Sequence, residues 1–138
     1  MNKFNSQICT TTAQSQRLLD LGLKSETADT YMIRPIDYLV GEKHRGHIPA
    51  WSSARLLEMI PKSFREDDKL FYLNIYTDAD FYDFEYESNV IDYGDYDDYE
   101  EHTISIGYGY DAELYEALIE TIQILIQRGH FNKEYLKL

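Results

Sequence analysis

A chain of 138 residues with 43% apolar and 14% aromatic side chains is long enough to bury a core, so wholesale disorder is excluded in spite of a net charge of −12. No run of about 18 apolar residues occurs, so no membrane span is expected, and the single Cys9 supplies neither an internal disulfide nor a thiolate cluster for zinc. Residues 1–69 carry ten Lys+Arg and nine Asp+Glu, and residues 128–138 carry three and one, whereas the 58 residues between them carry fifteen acids and no Lys or Arg; direct binding to nucleic-acid phosphate is therefore not expected.

In Met1-Asn2-Lys3-Phe4-Asn5-Ser6-Gln7 no apolar stretch follows Lys3, so no secretory leader is expected and the expected location is cytoplasmic. Thr11 and Gln14 have capping-box spacing, Leu18, Leu19 and Leu21 follow, and Gly22 is placed to close the turn left-handed, which predicts a helix over 11–22. Residues 25–29 read as a further helical turn. Residues 30–34 are β-branched and aromatic and predict a strand running into Pro35, which 37–40 extends or pairs with. Residues 41–46 are polar and bounded by glycines, hence a connection. In 48–61, Ser52 is the expected N-cap, Leu56, Leu57 and Ile60 form one face, and Pro61 stops the helix, with Trp51 placed to staple onto Leu56.

Residues 70–76 and 81–87 predict a β-hairpin, the second strand alternating Tyr82, Phe84 and Tyr86 with Asp83, Glu85 and Glu87 at period two. Residues 88–101 read as an acidic, tyrosine-bearing loop and 102–108 as the third strand of a meander. Asp111 is the expected cap of a helix of about 18 residues, carrying Leu114, Tyr115, Leu118, Ile119, Ile122, Leu125 and Ile126 at helical spacing, ending at Gly129 and lying across the sheet. With no repeat and no Pro/Gly/Ser-rich linker, the economical reading is a single α+β domain over 1–138, an antiparallel sheet of three to five strands with helices packed mainly on one face.

The densest chemistry is Asp92, Asp95, Asp97, Asp98, Glu100 and Glu101, hard oxygen donors suited to a divalent cation. An EF-hand register fails, because starting at Asp95 puts Tyr99 at the fifth position and Glu100 where the sixth requires glycine. No metal is expected there. Tyrosines interleave these acids and supply rigid contact area, which makes Tyr93, Asp95, Tyr96, Asp97, Asp98, Tyr99, Glu100 and Glu101 the expected partner-binding residues. The plainer alternative is that the tyrosines pack onto the sheet while the acids keep an edge soluble. His44 and His47 have helical metal-ligand spacing near Glu42, but they lie in a predicted loop with Lys43 and Arg45 between them, so zinc is not expected; Lys43, His44 and Arg45 read instead as a basic spot facing the acidic half of this chain or of a second copy.

Ser52 and Ser53 lack a Gly-x-Ser-x-Gly elbow. Gly107-Tyr108-Gly109-Tyr110 lacks the third glycine of a dinucleotide turn, and Asp111 behind it repels phosphate. Asp83 and Glu85 offer an acid–base pair whose separation nothing fixes. No catalytic residue and no cofactor is expected; an enzyme would need a pocket in which two or three of Trp51, His102, Asp83 and Glu85 converge.

The segments Ile8-Cys9-Thr10-Thr11-Thr12-Ala13-Gln14-Ser15-Gln16-Arg17-Leu18-Leu19-Asp20-Leu21-Gly22-Leu23 and Ile48-Pro49-Ala50-Trp51-Ser52 through Pro61-Lys62, with the closing helix over 117–129, resemble a group of small proteins encoded in prophages and mobile elements of gut anaerobic bacteria. The resemblance covers about a third of the chain and leaves 63–110 untouched. It implies an N-terminal helix, a Pro-Ala-Trp-Ser helix, a sheet and a last helix, and it brings no activity or catalytic residue with it. The expectation is a non-catalytic accessory protein of a phage or mobile element that binds another protein, or itself, through the acidic tyrosine-rich surface. One alternative is an acidic mimic of nucleic acid that occupies a basic groove on a DNA- or RNA-binding host protein. The other is an enzyme with a site not visible in its motifs.

Overall fold

The computed structural model describes residues 7–33, 47–93 and 99–137. The expected strand over 37–40 and the connection over 41–46, with Glu42, Lys43, His44 and Arg45, lie outside them. The fold is α+β, and among the described residues it has three α-helices, a two-stranded and a four-stranded antiparallel sheet. The chain divides into two compact units, Met1–Met59 with Asn132–Leu138 and Ile60–Phe131.

In the first unit, helix α1 (Thr12–Asp20) begins as its sequence requires: Thr11 Oγ1 accepts the Gln14 amide at 3.1 Å, and Gln14 Oε1 accepts the Thr11 amide at 3.0 Å. Gly22, at φ +104°, turns the chain in a region that disfavours any side chain, and Leu23 then bridges to Leu136. A 3₁₀ turn at Ser25–Thr27 leads into β1 (Thr30–Ile33), which pairs with β2 (His47–Ala50) in the register Thr30↔Ala50. Helix α2 (Ser53–Met59) follows, capped by Ser52, whose Oγ accepts the Arg55 amide at 3.1 Å.

Trp51 is fully buried and organises this unit. Its amide donates to Thr10 Oγ1 at 3.0 Å, its carbonyl accepts the Thr10 amide at 2.9 Å, and its indole Nε1 donates to Thr27 Oγ1 at 3.1 Å. A buried indole N–H without a partner is costly, so this bond fixes the ring's orientation as well as its place. Leu18, Leu23 and Leu56 are likewise fully buried, so the segments carrying the family resemblance read physically as caps and core.

The second unit is a meander in the order β3-β4-β5-β6: β3 (Ser63–Glu66), β4 (Lys69–Thr77), β5 (Tyr82–Tyr93) and β6 (Tyr99–Asp111). The sequence reading missed β3. Its hairpin to β4 turns on Asp67 and Asp68, both at positive φ (52° and 59°), the backbone of a two-residue turn in which Asp replaces the usual glycine signal. The expected 88–101 loop is also corrected: β5 and β6 stay in register to Tyr93↔Tyr99, because Val90, Ile91 and Tyr93 continue a β-prone run.

Helix α3 (Leu114–Arg128) packs on β5 and β6. It starts later than its expected cap: β6 runs to Asp111, whose carboxylate accepts the Glu113 amide at 2.9 Å, and Glu113 occupies the N-cap position. Gly129 ends it left-handed at φ +79°, as expected.

Two features of β6 seat this helix. Between Phe84 and Glu85 the β5–β6 register slips, pairing Phe84 with Gly109 and Glu85 with Gly107, so Tyr108 is an extra, bulged residue. Tyr108 and Gly109 are thereby both buried, although they are neighbours in sequence. Gly109 lies so close to α3 that a Cβ there would meet Thr121 Oγ1 at 2.2 Å and the Ala117 carbonyl oxygen at 2.3 Å. The core holds Phe71, Phe84, Tyr86 and Tyr108 from the sheet and Leu118, Ile119, Ile122 and Leu125 from the helix.

Candidate functional site

Period two divides β5 into two chemistries. Phe84, Tyr86 and Ser88 are buried on the α3 side, and Asp83, Glu85 and Glu87 project from the other. Register then decides what flanks the acids: Tyr76, Asn74 and Tyr72 on β4, and Tyr110, Gly107 and Ser105 on β6. The outer face of the sheet is thus a line of three carboxylates, with Cα atoms about 6.8 Å apart, between two rows of tyrosines and small polar residues. Tyr72, Tyr76 and Tyr110 are 55%, 48% and 54% exposed, which groups three large rings on one open sheet face.

Two of the three acids are held by neutral donors. Glu85 accepts Ser105 Oγ at 2.9 Å, and Glu87 accepts Asn74 Nδ2 at 3.0 Å and the Tyr76 hydroxyl at 2.5 Å. That hydrogen bond, with burial and the nearby carboxylates adding to it, raises the Tyr76 phenol above its ordinary pKa, so Tyr76 stays a donor at neutral pH. No Lys or Arg occurs from residue 70 to 127, and the cation of this unit that shares the face is Arg65, in register with Leu70 at the β3 edge. Apart from Arg65 at its edge, the face is a negative field studded with rigid amphipathic rings.

Of the expected partner-binding residues, Tyr93 ends β5 and Tyr99, Glu100 and Glu101 begin β6, in register with Tyr93, Asp92 and Ile91. Asp95, Tyr96, Asp97 and Asp98 lie outside the described residues. The outer-face residues are legible only in part: Asp83, Glu85 and Glu87 alternate as a strand signal, and Tyr72, Asn74 and Tyr76 alternate in the same way on the strand before.

A second constellation lies in the same unit. Glu66 Oε2 and His130 Nε2 are 2.6 Å apart, Arg128 pairs with Glu66 Oε1, the His130 ring stacks on Phe64 with centroids 3.9 Å apart, and the Arg128 guanidinium lies 5.5 Å from the Tyr108 ring centroid. The hydrogen bonds from His130 and then Arg128 hold the Glu66 carboxyl below its ordinary pKa. Burial raises the Tyr108 phenol, whose hydroxyl has no hydrogen-bond partner among the described residues, and that of Tyr86, whose hydroxyl donates to the Pro61 carbonyl at 2.7 Å. Both Glu66 oxygens are committed and one face of His130 is covered, so the group ties β3 to the C-terminal end of α3 instead of presenting an acid or base to a cleft.

The other residues with chemical promise are placed as follows. Trp51 is core, as described above. His102 is an exposed residue of β6, and Asp83 and Glu85 point the same way two residues apart on one strand. Ser52 donates to the Asp29 carboxylate from both its amide and its hydroxyl; burial raises that carboxyl, but these bonds and Arg55 outweigh it and leave it below its ordinary value. A cleft of about 360 Å³ lies where the β4–β5 ladder stops, lined by Asp68, Lys69, Leu70, Tyr72, Ser88, Asn89 and Val90. Among the described residues no group of three or more His, Cys, Asp or Glu is placed to hold a metal ion, and no helix is long and apolar enough to cross a membrane. No family model, curated protein or solved structure matches the chain.

Proposed function

We propose that this chain is a non-catalytic protein-binding module that docks a basic partner on the outer face of the β4–β5–β6 sheet. The observation that carries the reading is the line Asp83, Glu85 and Glu87 between exposed Tyr72, Tyr76 and Tyr110, with no Lys or Arg in the 58 residues from which the face is built. Tyrosine gives contact area with little rotamer entropy to lose, and the uncompensated carboxylates select a cationic surface and speed its approach. The proposed setting, an accessory protein of a phage or mobile element, rests on the resemblance in residues 8–23 and 48–62.

The test is affinity capture from a host lysate at low and high salt, with identification of what is retained, using the native protein and a Glu85→Gln/Glu87→Gln/Tyr72→Ala variant. A single partner with a basic surface, lost at high salt and missed by the variant, supports the reading. Recovery of the same proteins by both forms refutes it. The regular file of acids on one strand also favours a second reading, mimicry of nucleic acid; that reading requires the captured partner to be a DNA- or RNA-binding protein from which oligonucleotide displaces the chain.

A further inference from the structure

The three carboxylates of the outer face are not equivalent. Glu85 and Glu87 each accept hydrogen bonds from neighbouring side chains, whereas Asp83 has no hydrogen-bond donor or cation among the described residues. Its surroundings are aromatic. In register it stands between Tyr76 on β4 and Tyr110 on β6, and Phe81 precedes it by two residues on the same side. Phe81 and Tyr110 are stacked face to face, with centroids 4.6 Å apart and planes 6° from parallel, yet they remain 37% and 54% exposed. The Tyr110 amide donates to Glu120 at 3.3 Å, which fixes this end of β6 to α3.

A stacked pair covers one face of each ring and leaves the outward faces for something flat. A free carboxylate paired in register with such a ring asks for a cation that is planar and carries two parallel N–H donors. Guanidinium meets both demands, stacking on the ring while forking onto the carboxylate; an ammonium is a strongly hydrated point charge that meets only the Coulombic one. We propose that Asp83, Tyr110 and Phe81 form a recognition site for an arginine side chain of the partner. The inference rests on the reading of this face as a docking surface for a basic protein, and it narrows that reading from positive charge in general to arginine at one end of the stripe.

The experiment compares binding of an oligo-arginine and an oligo-lysine peptide of equal length by fluorescence anisotropy at moderate salt. The native protein is expected to favour the arginine peptide by roughly three- to fivefold, the contrast that stacking at an exposed site supplies. Asp83→Asn and Tyr110→Leu should each bring the two affinities together, the latter keeping apolar bulk while removing the π face. Glu85→Gln should weaken both peptides alike and keep their ratio. Thermal melts of each variant confirm that it is folded. Equal affinities in the native protein, or a preference that survives Tyr110→Leu, overturn the arginine site while leaving the docking surface in place. Binding of neither peptide overturns both.

Discussion

Replacing Gly109 by alanine is the sharpest probe of how the second unit is assembled. The added Cβ would sit 2.2 Å from Thr121 Oγ1 and 2.3 Å from the Ala117 carbonyl oxygen, and that same hydroxyl donates to that same carbonyl at 2.7 Å. Neither atom is the free end of a flexible side chain: one is helix backbone and the other is bonded to it. Restoring ordinary van der Waals separation requires α3 and β6 to part by roughly 1 Å. The helix face that must move buries Tyr115, Ala117, Leu118, Ile119, Thr121, Ile122 and Leu125, so the strain is shared by the whole core. We expect Gly109→Ala to cost about 3 kcal/mol, the upper end of the overpacking range, and to lower Tm by roughly 10 °C. Urea unfolding followed by far-UV circular dichroism measures this as a fall in midpoint at unchanged slope. Gly107 supplies the control, because a Cβ there meets nothing within 4 Å, and Gly107→Ala should change stability by less than about 0.5 kcal/mol. A Gly109→Ala protein as stable as the native one, or an equal loss at Gly107, would refute the reasoning.

Three further outcomes follow from the same geometry. Asp67 and Asp68 adopt a left-handed backbone that Asn-Gly takes with less strain, so the double change to Asn-Gly should raise stability by about 1 kcal/mol in a urea titration; no gain would mean that the carboxylates contribute there in a way the turn does not show. Glu66 titrates below its unfolded value, chiefly through His130 and then Arg128, so its contribution is complete above the ordinary carboxyl pKa and is lost as pH falls from there through the depressed one. Glu66→Gln should therefore flatten the acid limb of the stability profile, and parallel limbs for the two proteins would exclude this role. Trp51→Phe keeps most of a buried ring but strips Thr27 Oγ1 of its indole donor and leaves a gap, which predicts a loss of about 2 kcal/mol by thermal melting; a loss under about 0.5 kcal/mol would show that the indole N–H is dispensable.

The proposed docking face shares the chemistry of the expected partner-binding residues and draws on other parts of the chain. Acid and tyrosine were expected to act together in the stretch from Tyr93 to Glu101, where the run of Asp and Glu is densest. In the structure the ends of that stretch are strand, and the acidic, tyrosine-bearing surface that can be described lies on the outer sheet face. Three of its rings, Tyr72, Tyr76 and Tyr110, come from strands on either side of the acids, so no window of the sequence contains the site.

Features that depend on near neighbours are legible in the sequence. Thr11 and Gln14 announced a cap, Gly22 and Gly129 the left-handed ends of helices, and the alternation through Asp83, Glu85 and Glu87 a strand with one wet face, because each is set by contacts within about four residues. Features that depend on a partner strand or helix are not legible there. β3 is four residues long and exists because it pairs with β4. Asp111 reads as a helix cap but ends β6, since pairing with Tyr82 extends the strand past the local signal. The bulge at Tyr108, the glycine that α3 demands at position 109 and the aromatic rings around Asp83 all follow from register. Register is fixed by packing across the sheet between residues far apart in the chain, and local pattern does not carry it.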